Sequence, residues 1–202
     1  MTAPVGPALP VSAIAGLRTA TWAAHQRLEK RLDIKARFDT VGAYRSHLEG
    51  MWGFHADLEE RLEQKLCGNV LPDFESRRKL PLLTADLLAL GADLGSLASL
   101  PRCRAALQFP DPAAAFGCAY VLEGATLGGR VLLPQLQKRL GLDAGHGAAF
   151  LASYGEAVTP MWRSFGVALD GWCCNPQRQA RATDAAVATF DALSDWLCEP
   201  AS

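Results

Sequence analysis

The chain has 202 residues, half of them apolar and a fifth charged, with a formal net charge of -1 at pH 7 and an isoelectric point near 6.4. That length and apolar content suit one ordinary domain with a good core. The near-neutral balance supplies no field for nucleic acid or an anionic membrane surface, so neither is expected as a partner, and any anion has to be met by local arginines or lysines.

The opening MTAPVGPALPVSAIAG lacks the basic n-region of a secretory signal, and its prolines argue against helix before Ser12. Residues 1–11 read as a flexible arm and 12–199 as one helical domain. Ser12 is placed to cap a helix running to about Leu32, in which Leu17, Ala20, Ala24 and Leu28 recur at threes and fours. Thr40 or a neighbour starts a second helix, with Leu48, Trp52, His55, Leu58, Leu62 and Leu66 as its stripe. Residues 67–82 read as a loop with a turn of helix, and Thr84 as the cap of a short helix broken by the Gly, Ser and Pro of residues 91–101. Asp111 as N-cap and Pro112 at the first helical position open a long helix that closes at Gly141. Residues 146–171 and 176–198 read as the last two helices, separated by WCCNP. With no strand-like alternation and no repeat, the expected class is an all-α, single-domain multi-helix fold. No apolar run approaches the roughly 20 residues needed to cross a bilayer. Cys67, Cys103, Cys118, Cys173, Cys174 and Cys198 form no CxxC or paired metal spacing, which points to free thiols in a reducing cytoplasm.

Two stretches carry the chemistry. YVLEGATLGGRVLLP, residues 120–134, has the apolar content of a buried helix yet holds Gly124, Gly128 and Gly129, each of which costs a helix interior about 1 kcal/mol against alanine. Gly124 and Gly128 lie one turn apart on one face with Gly129 beside them. Either two helices cross tightly there, or something flat lies on bare backbone. In LRTATWAAHQRLEK, residues 17–30, Glu29 follows His25 by four. The carboxylate can take one ring nitrogen and leave the other free as an acceptor or metal ligand; the plain alternative is a partly exposed helix histidine with an ion pair. Arg18 stands two turns before His25, about 10 Å along the axis, where it could meet a carboxylate at the rim of a flat ligand.

Taken together these stretches resemble the haem oxygenase family, specifically the bacterial biliverdin-producing enzymes associated with bacteriophytochromes. The likeness runs from Leu17 to Leu197 through LRxATxxxHxxLE, YVLEGATLGG, VTPMWRSFGVALD and ATFDALSDWL. It implies haem sandwiched between a proximal and a distal helix, serving as both substrate and cofactor. Dioxygen is the implied co-substrate and a ferredoxin or flavoprotein reductase the electron donor; haem is opened to biliverdin with release of iron and carbon monoxide. An apo-bacteriophytochrome as recipient of the bilin, or recovery of the iron, is implied in turn. By the same likeness His25 is the axial iron ligand with Glu29 behind it. Gly124, Gly128 and Gly129 lie over the porphyrin, and Arg18, Tyr120 and Arg163 meet the propionates. Trp22 stands where some members carry lysine, and Ala125 where vertebrate members carry an acidic residue. Phe190 and Phe165 fit either the haem edge or the core. Glu123 should point about 100° away from Gly124 and is not nominated.

Two rivals belong to other classes. A ferritin-like di-metal oxygenase needs Glu-x-x-His pairs, and none of His47, His55 or His146 follows a glutamate by three. His55 with Glu59 repeats the His25 and Glu29 spacing but reads as a surface pair. A haem carrier that keeps the proximal ligand without turnover is the other; it has no need of three costly glycines.

Overall fold

The computed structural model describes residues 12–198, so the expected arm at 1–11 lies outside them. Among the described residues there is no strand, only isolated bridges from Asp143, and no helix long and apolar enough to cross a membrane. The first helix, α1 (Ala13–Arg31), buries Leu17, Thr21, Ala24 and Leu28. Ala20 of the expected stripe is exposed; Thr21 takes the inward place because its hydroxyl donates to the Leu17 carbonyl at 2.8 Å. Ser12 does precede the helix but does not cap it. Its hydroxyl donates instead to the Asp170 carboxylate at 3.0 Å, tying the start of α1 to a distant helix.

After the single turn α2 (Ile34–Arg37), α3 (Val41–Leu66) starts as the sequence indicates, with the Thr40 hydroxyl accepting from the Ala43 amide. It runs through the middle of the molecule, burying Tyr44, Leu48, Phe54, Leu58 and Leu62 almost completely. Next come α4 (Phe74–Arg77), α5 (Leu80–Ala89) and α6 (Leu94–Ala98). Thr84 does not cap α5, which begins four residues earlier. The Leu80 amide is taken by the Glu59 carboxylate from α3 at 3.1 Å, and Thr84 sits inside the helix accepting from the Trp52 indole at 3.0 Å.

Asp111 caps α7 (Pro112–Leu140) through the Ala114 amide, and Gly141 closes it with φ 71°. The helix is continuous through Gly124, Gly128, Gly129 and Pro134, so the glycines do not break it. The expected helix at 146–171 is divided: α8 (Ala149–Ala152), a 3-10 turn at Gly155–Ala157 and α9 (Val158–Trp172). Positive φ at Ser153 and Gly155 makes the break, a conformation that an L residue such as serine adopts at a cost. The last helix is α10 (Pro176–Cys198).

Both α1 and α7 pack along α10 without packing along each other. The α7 contact is close because a Cβ at Gly117 would overlap the Ala182 backbone of α10. A cleft is left between α1 and α7.

Candidate functional site

The cleft has a volume of about 600 Å³ and is walled by α1 and α7, with Trp162 of α9 and Phe190 of α10 closing its sides. That volume lies within the range of ordinary small-molecule and cofactor sites. On the α1 wall, the His25 side chain is 44% exposed. Its ring lies nearly parallel to that of Trp22, with centroids 6.3 Å apart, and meets Phe190 edge-on at 5.5 Å. The buried Nδ1 has no hydrogen-bond partner; the Glu29 carboxylate lies 3.7 Å from it. A small side-chain adjustment would close that gap and leave Nε2 the ring nitrogen available to a ligand.

Opposite stand Gly124 and Gly128. A Cβ built at Gly128 meets nothing within 4 Å, and one at Gly124 meets only the Trp162 ring, at 4.0 Å. Packing in the chain itself therefore gives no reason for either glycine, although each costs about 1 kcal/mol of helix propensity. A flat group resting on that backbone does give one. Gly129 departs from expectation: it points away from the cleft, and its Cβ would overlap the Leu151 backbone of α8. This glycine serves the close approach of two backbones. The two readings of the glycine run thus divide between its members.

Arg18 and Tyr120 line the same cleft. Burial pushes the Tyr120 phenol up, against a hydrogen bond to Thr21 and the Arg18 charge, both of which act to lower it. Arg163 does not join them. It is exposed on α9, outside the cleft lining, because its neighbour Trp162 and the fully buried Phe165 take the inward positions. Phe165 accordingly belongs to the core, whereas Phe190 faces the ligand space.

Three features escaped the sequence reading. The indole of Trp162 forms part of the wall. His55 and Glu59 are no surface pair: both are buried, with Nδ1 and the carboxylate 2.9 Å apart. Burial acts to raise the Glu59 pKa, but His55 and the Lys79 and Leu80 amides outweigh it and hold the carboxyl low. Glu123 is buried as well, inside a cluster of charges behind α7. A lone acid in the apolar run 113–123 was the available signal, since a buried charge requires a partner.

Fold and cleft together define an all-helical protein with a cleft between a histidine-bearing helix and bare helical backbone. A family model described as "Heme oxygenase" matches residues 12–199. The "Heme oxygenase PigA" of Pseudomonas aeruginosa is 29% identical over 175 residues, 86% of this chain and 85% of its own. A heme oxygenase of Xanthomonas campestris pv. campestris is 36% identical over 84 residues, 42% of this chain and 47% of its own. Among solved structures, the NO- and CO-bound heme oxygenase of Neisseria meningitidis superposes with a TM-score of 0.77 at 23% identity, covering 93% of this chain and 90% of that one. Heme oxygenase from Leptospira interrogans gives 0.78 at 20% identity, covering 94% of this chain and all of that one; these two likenesses concern the fold. The chain belongs to the haem oxygenase family, and haem is the ligand and substrate of its enzyme activity.

Proposed function

We propose that the cleft between α1 and α7 would hold haem between the two helices with His25 as the residue that binds its iron, and that the chain opens the ring to biliverdin, releasing iron and carbon monoxide, with dioxygen as co-substrate. What supports this reading is one juxtaposition: an imidazole whose Nδ1 makes no hydrogen bond within the chain, facing two helix glycines for which the protein's own packing has no use. Bound haem supplies the iron that activates dioxygen and is itself the molecule that is cut. The chain's part is binding, orientation and exclusion. Glu29, 3.7 Å from Nδ1, would accept from it after a small adjustment, leaving Nε2 to hold the iron and raising its basicity. The bare backbone at Gly124 and Gly128 lets the distal helix come down close over the ring and confine what lies there. Arg18 and the Tyr120 hydroxyl meet carboxylates at the rim, and Trp22, Trp162 and Phe190 keep water from the ring faces. The reaction consumes electrons from outside the chain, delivered in this proposal by a ferredoxin or a flavoprotein reductase. Supply of bilin to an apo-bacteriophytochrome, or recovery of iron, is the proposed use of the products.

The test is to give the purified chain haem, oxygen and a reductant. Loss of the Soret band with appearance of a biliverdin spectrum is the expected result; haem retained unchanged would return the chain to the role of a carrier. His25→Ala should abolish ring opening while shifting the melting temperature little, because the side chain is only partly buried. Exogenous imidazole should restore part of the activity. Turnover by His25→Ala at the parent rate would remove His25 from the iron.

A further inference from the structure

Behind the distal helix, on the side away from the cleft, lies a buried charge cluster centred on Glu123. Its Oε2 accepts from Arg77 at 2.7 Å, and its Oε1 accepts from the Tyr154 hydroxyl at 2.6 Å with the Lys79 ammonium 3.3 Å away. The Arg77, Lys79 and Glu123 side chains are all 5% exposed or less. Arg77 reaches further, pairing with Asp73 and donating to the Met161 carbonyl and the Ser164 hydroxyl of α9. One carboxylate on α7 is therefore bonded to groups from α4, from the segment leading into α5 and from the loop before α9. The Glu123 carbonyl is occupied too, accepting from the Thr126 hydroxyl at 2.7 Å.

This cluster sits one residue before Gly124. Over the cleft, α7 has no side chains at Gly124 and Gly128 with which to key into a neighbour, so at those two positions the cleft face does not fix the helix's height or rotation. The stretch is pinned from behind at its two ends, by Glu123 before the first glycine and by Gly129 against the α8 backbone after the second. Gly129 fixes a distance of approach; Glu123, bonded in three directions, fixes rotation as well. A substitution that loosens the Glu123 end leaves bare backbone free to turn or lift.

We infer that Glu123 is a positioning residue for haem cleavage: held by Arg77, Lys79 and Tyr154, it sets the height and rotation of the Gly124 and Gly128 backbone over the ligand. This rests on the reading of that backbone as the distal wall of the haem cleft. Glu123 touches neither haem nor oxygen and acts through the helix it anchors.

The experiment has two readouts. In the haem-free protein, amide hydrogen exchange of Glu123→Gln should speed up at residues 124–129 by about tenfold or more while α1 and α10 keep the parent rates, the mark of a local opening. With haem and reductant, the same variant should still bind haem but yield a mixture of biliverdin isomers where the parent yields its own pattern. Should Glu123→Gln fail to fold, Tyr154→Phe combined with Lys79→Met removes both donors to Oε1 and leaves the Arg77 pair intact. It should move both readouts in the same direction by less. Parent-level exchange at 124–129, or exchange raised evenly over every helix, overturns the inference, as does an unchanged isomer pattern. If the parent itself makes no biliverdin, the cleavage reading fails, and the exchange measurement still judges whether Glu123 holds the helix.

Discussion

At the scale of single residues, three glycines within two helical turns do two kinds of work, and the difference can be measured. Gly128 has open space where a Cβ would go, whereas Gly129 has the Leu151 backbone. Gly128→Ala should therefore stabilise the haem-free protein by up to about 1 kcal/mol through helix propensity alone. Gly129→Ala should destabilise it by roughly 1 to 3 kcal/mol, because backbone yields less readily than a flexible side chain. Turnover should show the reverse: Gly128→Ala, more stable, places a methyl in the ligand space and lowers biliverdin yield. Urea unfolding of the two variants beside single-turnover biliverdin assays checks both halves. A Gly128→Ala protein with parent yield would return that glycine to an accident of the helix. The same scale separates the two arginines, since Arg18 lines the cleft and Arg163 stands outside it. Nothing in residue type or spacing distinguishes them, because which way a side chain faces depends on the neighbouring aromatic residues that take the inward positions.

At the scale of elements, what the sequence made legible was whatever is capped or broken locally. Thr40, Asp111 and Gly141 act on their own helices, so the ends of α3 and α7 could be read from a few adjacent residues. The start of α5 depends on Glu59, 21 residues back, which is why Thr84 looked like a cap. The site divides in the same way: His25 and the distal glycines come from two contiguous motifs, while Trp162 and the Glu123 cluster are assembled from separated segments. The start of α8 shows how much such a distant cap matters. The Asp86 carboxylate of α5 accepts from the Ala149 and Phe150 amides at 2.7 and 2.8 Å, and α8 supplies the backbone on which Gly129 rests. Burial nevertheless pushes the Asp86 carboxyl up, against those two bonds. Asp86→Asn keeps one acceptor and turns an amide N–H toward the other donor, leaving a buried N–H unpaired at a cost of roughly 1 to 3 kcal/mol. A urea midpoint lowered accordingly, with unchanged slope, is the expected result; an unchanged midpoint would show that α8 is held by its apolar contacts alone.

At the scale of the whole molecule, α3 is the spine against which charge has been buried on several sides, and this makes stability depend on pH in a predictable direction. His47 lies within the core beside Phe38, with Nδ1 unpartnered. Burial lowers its imidazole to about 3, and the nearby Arg37 charge acts the same way. In the unfolded chain a histidine takes up its proton near pH 6.5, whereas in the folded chain this one stays neutral until the far lower value. Between those limits the unfolded state binds more protons, so stability falls as pH falls, by up to about 1.4 kcal/mol per pH unit for one group. Glu59, held low, adds a loss of the same sign below its ordinary range; Asp86, pushed up, contributes the opposite sign. Comparison with His47→Gln, similar in size and unable to titrate, removes both carboxylates from the account because they are common to the two proteins. The difference in unfolding free energy between parent and variant should be flat above pH 7 and should turn steadily against the parent from about pH 6 to pH 5. Parallel curves across that interval would mean that His47 is protonated in the folded protein as readily as in the unfolded one, and that the core around α3 admits the charge.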